Sequence, residues 1–117
     1  MTLAVEGRED VVATTVEAAF DLADRLRGLL GRASLAPGTA LIIAPCSAVH
    51  TFAMQFPIDV IFAARDGRVL KVRRALGADT VTQARRAFAA IEMAAGEADR
   101  HGVEVGDRLE IRSRDGK

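Results

Sequence analysis

Ile58-Asp59-Val60-Ile61-Phe62-Ala63-Ala64-Arg65-Asp66-Gly67-Arg68-Val69-Leu70-Lys71-Val72-Arg73 is the stretch that decides the fold. Two runs rich in β-branched residues flank Arg65-Asp66-Gly67-Arg68, and an Asp-Gly pair between such runs predicts a β-hairpin. Strand alternation puts Ile58, Val60 and Phe62 on one face of the first run and Asp59, Ile61 and Ala63 on the other.

Working toward the C-terminus, residues 75–87 are small and polar and read as a loop, with one helical turn near Gln83 to Arg86. Residues 88–95 carry helix-favouring alanines, but the run is short and Gly96 stops it, so it is read as a strand. Residues 97–101 form a short helical turn closed by Gly102. Val105-Gly106-Asp107 then turns into a last strand with Leu109 and Ile111 inward, and a polar tail follows.

Toward the N-terminus, Pro57 separates the hairpin from residues 50–56, where His50, Phe52, Met54 and Phe56 alternate with Thr51, Ala53 and Gln55. Leu41-Ile42-Ile43-Ala44 is a buried strand between the Pro37-Gly38 turn and Pro45. Residues 17–30 show apolar positions at helical spacing, Phe20, Ala23, Leu26 or Arg27 and Leu30, with Thr15 as a cap and Gly28 and Gly31 at the end. Residues 11–15 read as a short strand after a charged leader expected to fray. The predicted fold is therefore α+β: a small curved, antiparallel-rich β-sheet or open β-barrel packed by one main N-terminal helix. One domain covers residues 1–117, with flexible ends at 1–10 and 113–117.

Composition supports that reading and excludes others. The 117 residues include five Phe and neither Trp nor Tyr, so the core must be aliphatic. Sixteen basic residues balance sixteen acidic ones, which disfavours nucleic acid or an anionic membrane as partner. No run approaches the roughly 18 apolar residues of a membrane-spanning helix. No export signal is visible at the N-terminus, which makes the cytoplasm the expected location. The single cysteine, Cys46, leaves no internal disulfide and suits a reducing compartment.

Three blocks resemble one known family. Arg25-Leu26-Arg27-Gly28-Leu29-Leu30-Gly31-Arg32 is similar to its basic, glycine-spaced segment. His50-Thr51-Phe52-Ala53-Met54-Gln55-Phe56-Pro57-Ile58-Asp59-Val60-Ile61-Phe62 is similar to its most characteristic stretch. Ala90-Ile91-Glu92-Met93-Ala94-Ala95-Gly96, followed by Val105-Gly106-Asp107, looks like its C-terminal blocks. The family is catalogued as domain of unknown function 192, and the likeness extends over about residues 11–112. The resemblance implies a bacterial or archaeal domain with no established activity, substrate or cofactor, some of whose relatives are exported. Many members place Trp before x-Met and Asn-Thr after it. This chain has Phe52, Gln55 and Phe56, so no role of that Trp or Asn carries over.

The polar residues suggest where function would lie. Asp59 interrupts an apolar strand and needs a partner, because burying an unpaired charge costs several kcal/mol. Arg32 is the natural partner, and Glu92 poses the same question. Arg32, His50, Asp59 and Glu92, with Arg25 nearby, are thus predicted to gather at the barrel mouth. They act there either as a structural ion-pair network or as the site for an unidentified small ligand or protein partner. The alternative is a thiol-dependent or hydrolase-like enzyme with Cys46 as nucleophile, His50 as base and Asp59 orienting the imidazole. The same three residues could ligate zinc, but no second Cys or His-rich motif supports a metal, so neither metal nor cofactor is expected. Lys71 and Arg73 share a strand face that Arg74, Arg85 and Arg86 could extend into a basic patch. His101 reads as an exposed helix-end residue. Self-association through an edge strand stays open.

Overall fold

The computed structural model describes residues 1–19, 35–51 and 56–113. An interior strand of its five-stranded sheet is β6 (Ile58–Ala63), whose six residues are all buried. It pairs antiparallel with β7 (Val69–Leu76) across the predicted Asp-Gly turn, and on its other side with β9 (Ala89–Ala94). Next come β4 (Thr39–Ile43), antiparallel to β9, and β3 (Thr15–Ala19), parallel to β4. The order is β3-β4-β9-β6-β7.

Both faces of this sheet are covered, which is why β6 reads as an almost unbroken apolar run. One face meets a three-stranded sheet ordered β10-β1-β2, made of β10 (Leu109–Arg112), β1 (Thr2–Val5) and β2 (Val11–Ala13). Leu3, Val5, Val12 and Leu109 pack there with Ile61, Ile91 and Met93. A short helix, α1 (Glu97–Arg100), follows β9 and buries Ala98 in the same cluster. Over the second face lies a ribbon of β5 (Ala48–His50) and β8 (Val81–Gln83), whose Val49 joins Val60, Phe62 and Leu76. The sheets do not close into a barrel. Among the described residues, no helix is long and apolar enough to cross a membrane.

Several expectations are corrected here. In the leader expected to fray, Leu3, Ala4 and Val5 are buried in the middle strand of the smaller sheet, and charge begins only at Glu6. The N-terminal helix does not begin at Glu17. Residues 15–19 form strand β3, in parallel register with residues 39–43, because pairing to β4 overrides alanine's helical preference. The rest of that predicted helix, residues 20–30, lies outside the described residues, and among the described residues the helix is the short C-terminal α1. The strand expected over residues 50–56 is observed at residues 48–50, and residues 52–55 fall outside the description.

The expected loop at 75–87 contains β8, fixed by a buried threonine. Thr51 Oγ1 donates to the Gly77 carbonyl at 2.6 Å and accepts the Thr80 N–H at 2.9 Å. Its backbone N–H also donates to the Thr80 carbonyl at 2.8 Å. These bonds hold the β7–β8 connection against β5.

The hairpin turn is itself a packing element. Gly67 has φ +89°, and a Cβ there would lie 2.2 Å from the Leu109 carbonyl oxygen, while its own carbonyl accepts the Leu109 N–H at 2.8 Å. Only glycine permits this approach, which joins the larger sheet to β10. Gly67→Ala is expected to cost about 2–4 kcal/mol in urea unfolding, since it adds a backbone clash to left-handed strain. Gly7→Ala, with φ +86° and open space around it, is expected to cost about 1 kcal/mol.

Candidate functional site

Asp59 is fully buried, and its partners are backbone amides. Oδ1 accepts the Ala75 N–H at 2.8 Å, and Oδ2 accepts the N–H groups of Gly96 at 3.1 Å and Ala98 at 2.9 Å. Local irregularity creates two of the donors, and the first turn of α1 leaves the Ala98 N–H free as the third. Ile58 opposes Leu76 and Val60 opposes Arg73, so Asp59 faces two residues of β7 across a bulge. Within that bulge Ala75 takes φ +50°, and Gly96 takes φ +93° where β9 gives way to α1. Charge-assisted bonds to three amides offset the desolvation of the carboxylate and tie β6, β7 and α1 together.

This geometry divides the predicted cluster. Asp59 opposes Met93, whereas Glu92 opposes Val60 on one side and Leu41 on the other. Met93 belongs to the first-face core, and Val60 and Leu41 to the second. Asp59 and Glu92, both buried, therefore lie on opposite faces of the sheet, and one mouth cannot present both. Arg25 and Arg32 lie outside the described residues.

Nor is the enzyme or zinc alternative assembled around Asp59. Exposed His50 sits in the ribbon over the second face, and half-buried Cys46 packs against that same core. The Cys46 thiol donates to the Ala48 carbonyl at 3.1 Å. Among the described residues, no group of three or more His, Cys, Asp or Glu is gathered in a way that could hold a metal ion.

The basic patch also splits. Lys71 Nζ donates to the Gln83 carbonyl at 2.7 Å and Arg73 Nη1 to Thr82 Oγ1 at 3.5 Å, so both brace β8. Arg74 turns to the other face, where it pairs with Asp99 and Glu104. Its hydrogen bond to Asp99 raises its pKa above the ordinary arginine value, with the charges of Asp99, Glu104 and Asp59 adding. Arg85 and Arg86 are exposed in the turn after β8.

Two polar features escaped the sequence. Buried Glu97 accepts the Gly38 N–H at 2.8 Å through Oε1, with Arg100 at 3.8 Å and His101 Nε2 at 3.9 Å. His101 is therefore half-buried against Glu97, where an exposed helix end was expected. A hollow of about 270 Å³ beside them is walled by groups that satisfy one another. Another, of about 340 Å³, lies around the Arg8–Asp107 and Arg108–Glu6 pairs.

A third concavity among the described residues differs in character. An open cleft of about 320 Å³ lies between the two sheets, at the end bearing the β6–β7 turn. Ala44, Ala63 and Ala89 line it from the larger sheet, and Leu3 and Ile111 from the smaller. Small side chains at the strand ends leave the layers unfilled there. Ile111 shares the inward face of buried Leu109 yet stays 49% exposed, because it borders this gap.

Replacing Asp59 leaves three backbone donors without an acceptor. Asp59→Ala is expected to destabilise the protein by roughly 3–5 kcal/mol in urea unfolding. Ala75→Gly relieves the left-handed strain and is expected to add about 0.5–1 kcal/mol by the same measurement.

Comparisons with known proteins agree with this fold. A protein of unknown function from Novosphingobium aromaticivorans DSM 12444 matches with TM-score 0.81 at 24% identity, covering 94% of this chain and 84% of that one. A protein from Sinorhizobium meliloti 1021 described as a "putative transcription regulator" matches with TM-score 0.75 at 27% identity, covering 81% of this chain and 79% of that one. No curated protein matches. The family model described as DUF192, uncharacterized ACR, matches residues 2–111, and the chain belongs to that family.

Proposed function

We propose that this domain is a binding module that takes a small, largely apolar molecule into the cleft between its two sheets. The observation that carries the proposal is Ile111, a large aliphatic side chain on the core-facing side of β10 that remains half exposed over an alanine-lined gap. Elsewhere along the same interface, Val5, Val12, Ile61 and Met93 fill the space between the layers. An aliphatic wall facing unfilled space favours an apolar occupant, because each square ångström it removes from water contributes about 25 cal/mol. The volume falls near the lower end of the roughly 300–1,000 Å³ typical of small-molecule sites.

The site residues differ from those the sequence suggested. Asp59 serves the fold, while the cleft is built from residues that looked like ordinary strand ends. Among the described residues its lining includes no Cys, Ser, Thr, Lys or His, which favours binding over catalysis. A protein partner remains the second occupant to test, through the same opening.

The neutral fluorescent probe N-phenylnaphthylamine is expected to brighten on binding the native protein. Ala89→Leu and Ile111→Trp fill the cleft from opposite walls, and each is expected to weaken the probe roughly tenfold, a cost of about 1.4 kcal/mol. Unchanged titrations in two folded variants, or no binding by the native protein, would refute the proposed role.

A further inference from the structure

We infer that the ligand of the cleft is an amphipathic monoanion, its apolar body between the sheets and its carboxylate on Arg65. The inference rests on the binding role proposed above and adds the chemistry of the head group.

Arg65 lines the cleft at its rim, exposed, with its guanidinium carbon 4.2 Å from the centre of the Phe88 ring. That ring has a fixed base. The Phe88 N–H donates to the Ala63 carbonyl at 2.9 Å, and its carbonyl accepts the Cys46 N–H at 2.8 Å. A guanidinium stacked on an aromatic face keeps its in-plane N–H groups directed outward, and their fork matches the two oxygens of a carboxylate.

The other charges at the rim already have partners. Asp66 accepts the Arg68 N–H at 3.0 Å and pairs with Arg108 at 3.3 Å, and Glu110 pairs with Arg112 at 2.7 Å. Among the described residues, Arg65 makes no salt bridge, so the cleft-lining cation is positioned by a ring and left without an anion. Behind it the walls are aliphatic, including Ile42, Ile91 and Ile111. A cation at the opening of an apolar slot complements one negative charge at the end of an apolar chain.

Octanoate and 1-octanol test this, because they share a chain length and differ in the head group. Octanol is the more apolar, so a purely apolar cleft would prefer it. The informative quantity is therefore the octanoate-to-octanol displacement ratio in the native protein against that in an Arg65 variant, since the charge acts on top of the apolar preference.

Arg65→Gln should lower the octanoate-to-octanol displacement ratio roughly fivefold, the scale of one exposed charge pair, with the probe still bound. Arg65→Lys, which keeps the charge but loses the stacked fork, should lower it less. A displacement ratio that Arg65→Gln leaves unchanged would overturn the inference with the cleft still a binding site. Failure of the probe to bind at all would instead remove the binding role, and the inference with it.

Discussion

A carboxylate buried near the start of an interior strand, answered by three backbone amides, is the constraint on which the arrangement depends. Asp59 reaches the bulged β7 through Ala75 and the β9–α1 junction through Gly96 and Ala98. Those donors come from positions where the backbone leaves regular sheet geometry, and each would be an orphan without the acid. The bulge makes Ala75 available at the expense of left-handed strain, and the charge-assisted bond offsets it. One side chain thus accounts for an irregular strand, a left-handed glycine and the seating of a four-residue helix.

Once Asp59 is committed to the fold, the remaining polar groups sort by sheet face. Glu92, His50, Lys71 and Arg73 belong with the second face and its ribbon, and Arg74 with the first. The chemistry that looked concentrated in sequence is distributed in space. What the fold leaves open is the end of the sandwich where alanines replace larger side chains and Gly67 draws the hairpin onto β10. A gap of this kind follows from side-chain volume, since facing sheets sit about 10 Å apart and methyl groups cannot fill that distance.

Much of the architecture was legible where short-range rules decide. The Asp-Gly hairpin, the strand before Gly96, the helical turn after it and the buried run at Leu41 to Ile43 all follow from turn chemistry and apolar patterning. The misses required distant partners. Residues 15–19 carry alanines that favour a helix, yet parallel pairing with β4 makes them a strand. Leu3 to Val5 were hidden by the charges that follow them. Asp59 stands out in the sequence as a carboxylate that needs partners, and an arginine is the natural expectation, because amides 16, 37 and 39 residues away leave no local signal. Strand alternation alone could not show that Asp59 and Glu92 face opposite ways, because that depends on the register between β6 and β9. The alanines at the ends of β4, β6 and β9 were a visible clue to the cleft, but one that gains meaning only when the strands are brought side by side.

Backbone amide hydrogen exchange followed by NMR tests the central claim most directly. If the Asp59 carboxylate holds the amides of Ala75, Gly96 and Ala98, these three protons exchange as slowly as those of β6 and β9, although none belongs to a regular strand ladder. Exchange of all three at the rate of an open surface turn, with β6 still protected, would contradict the account.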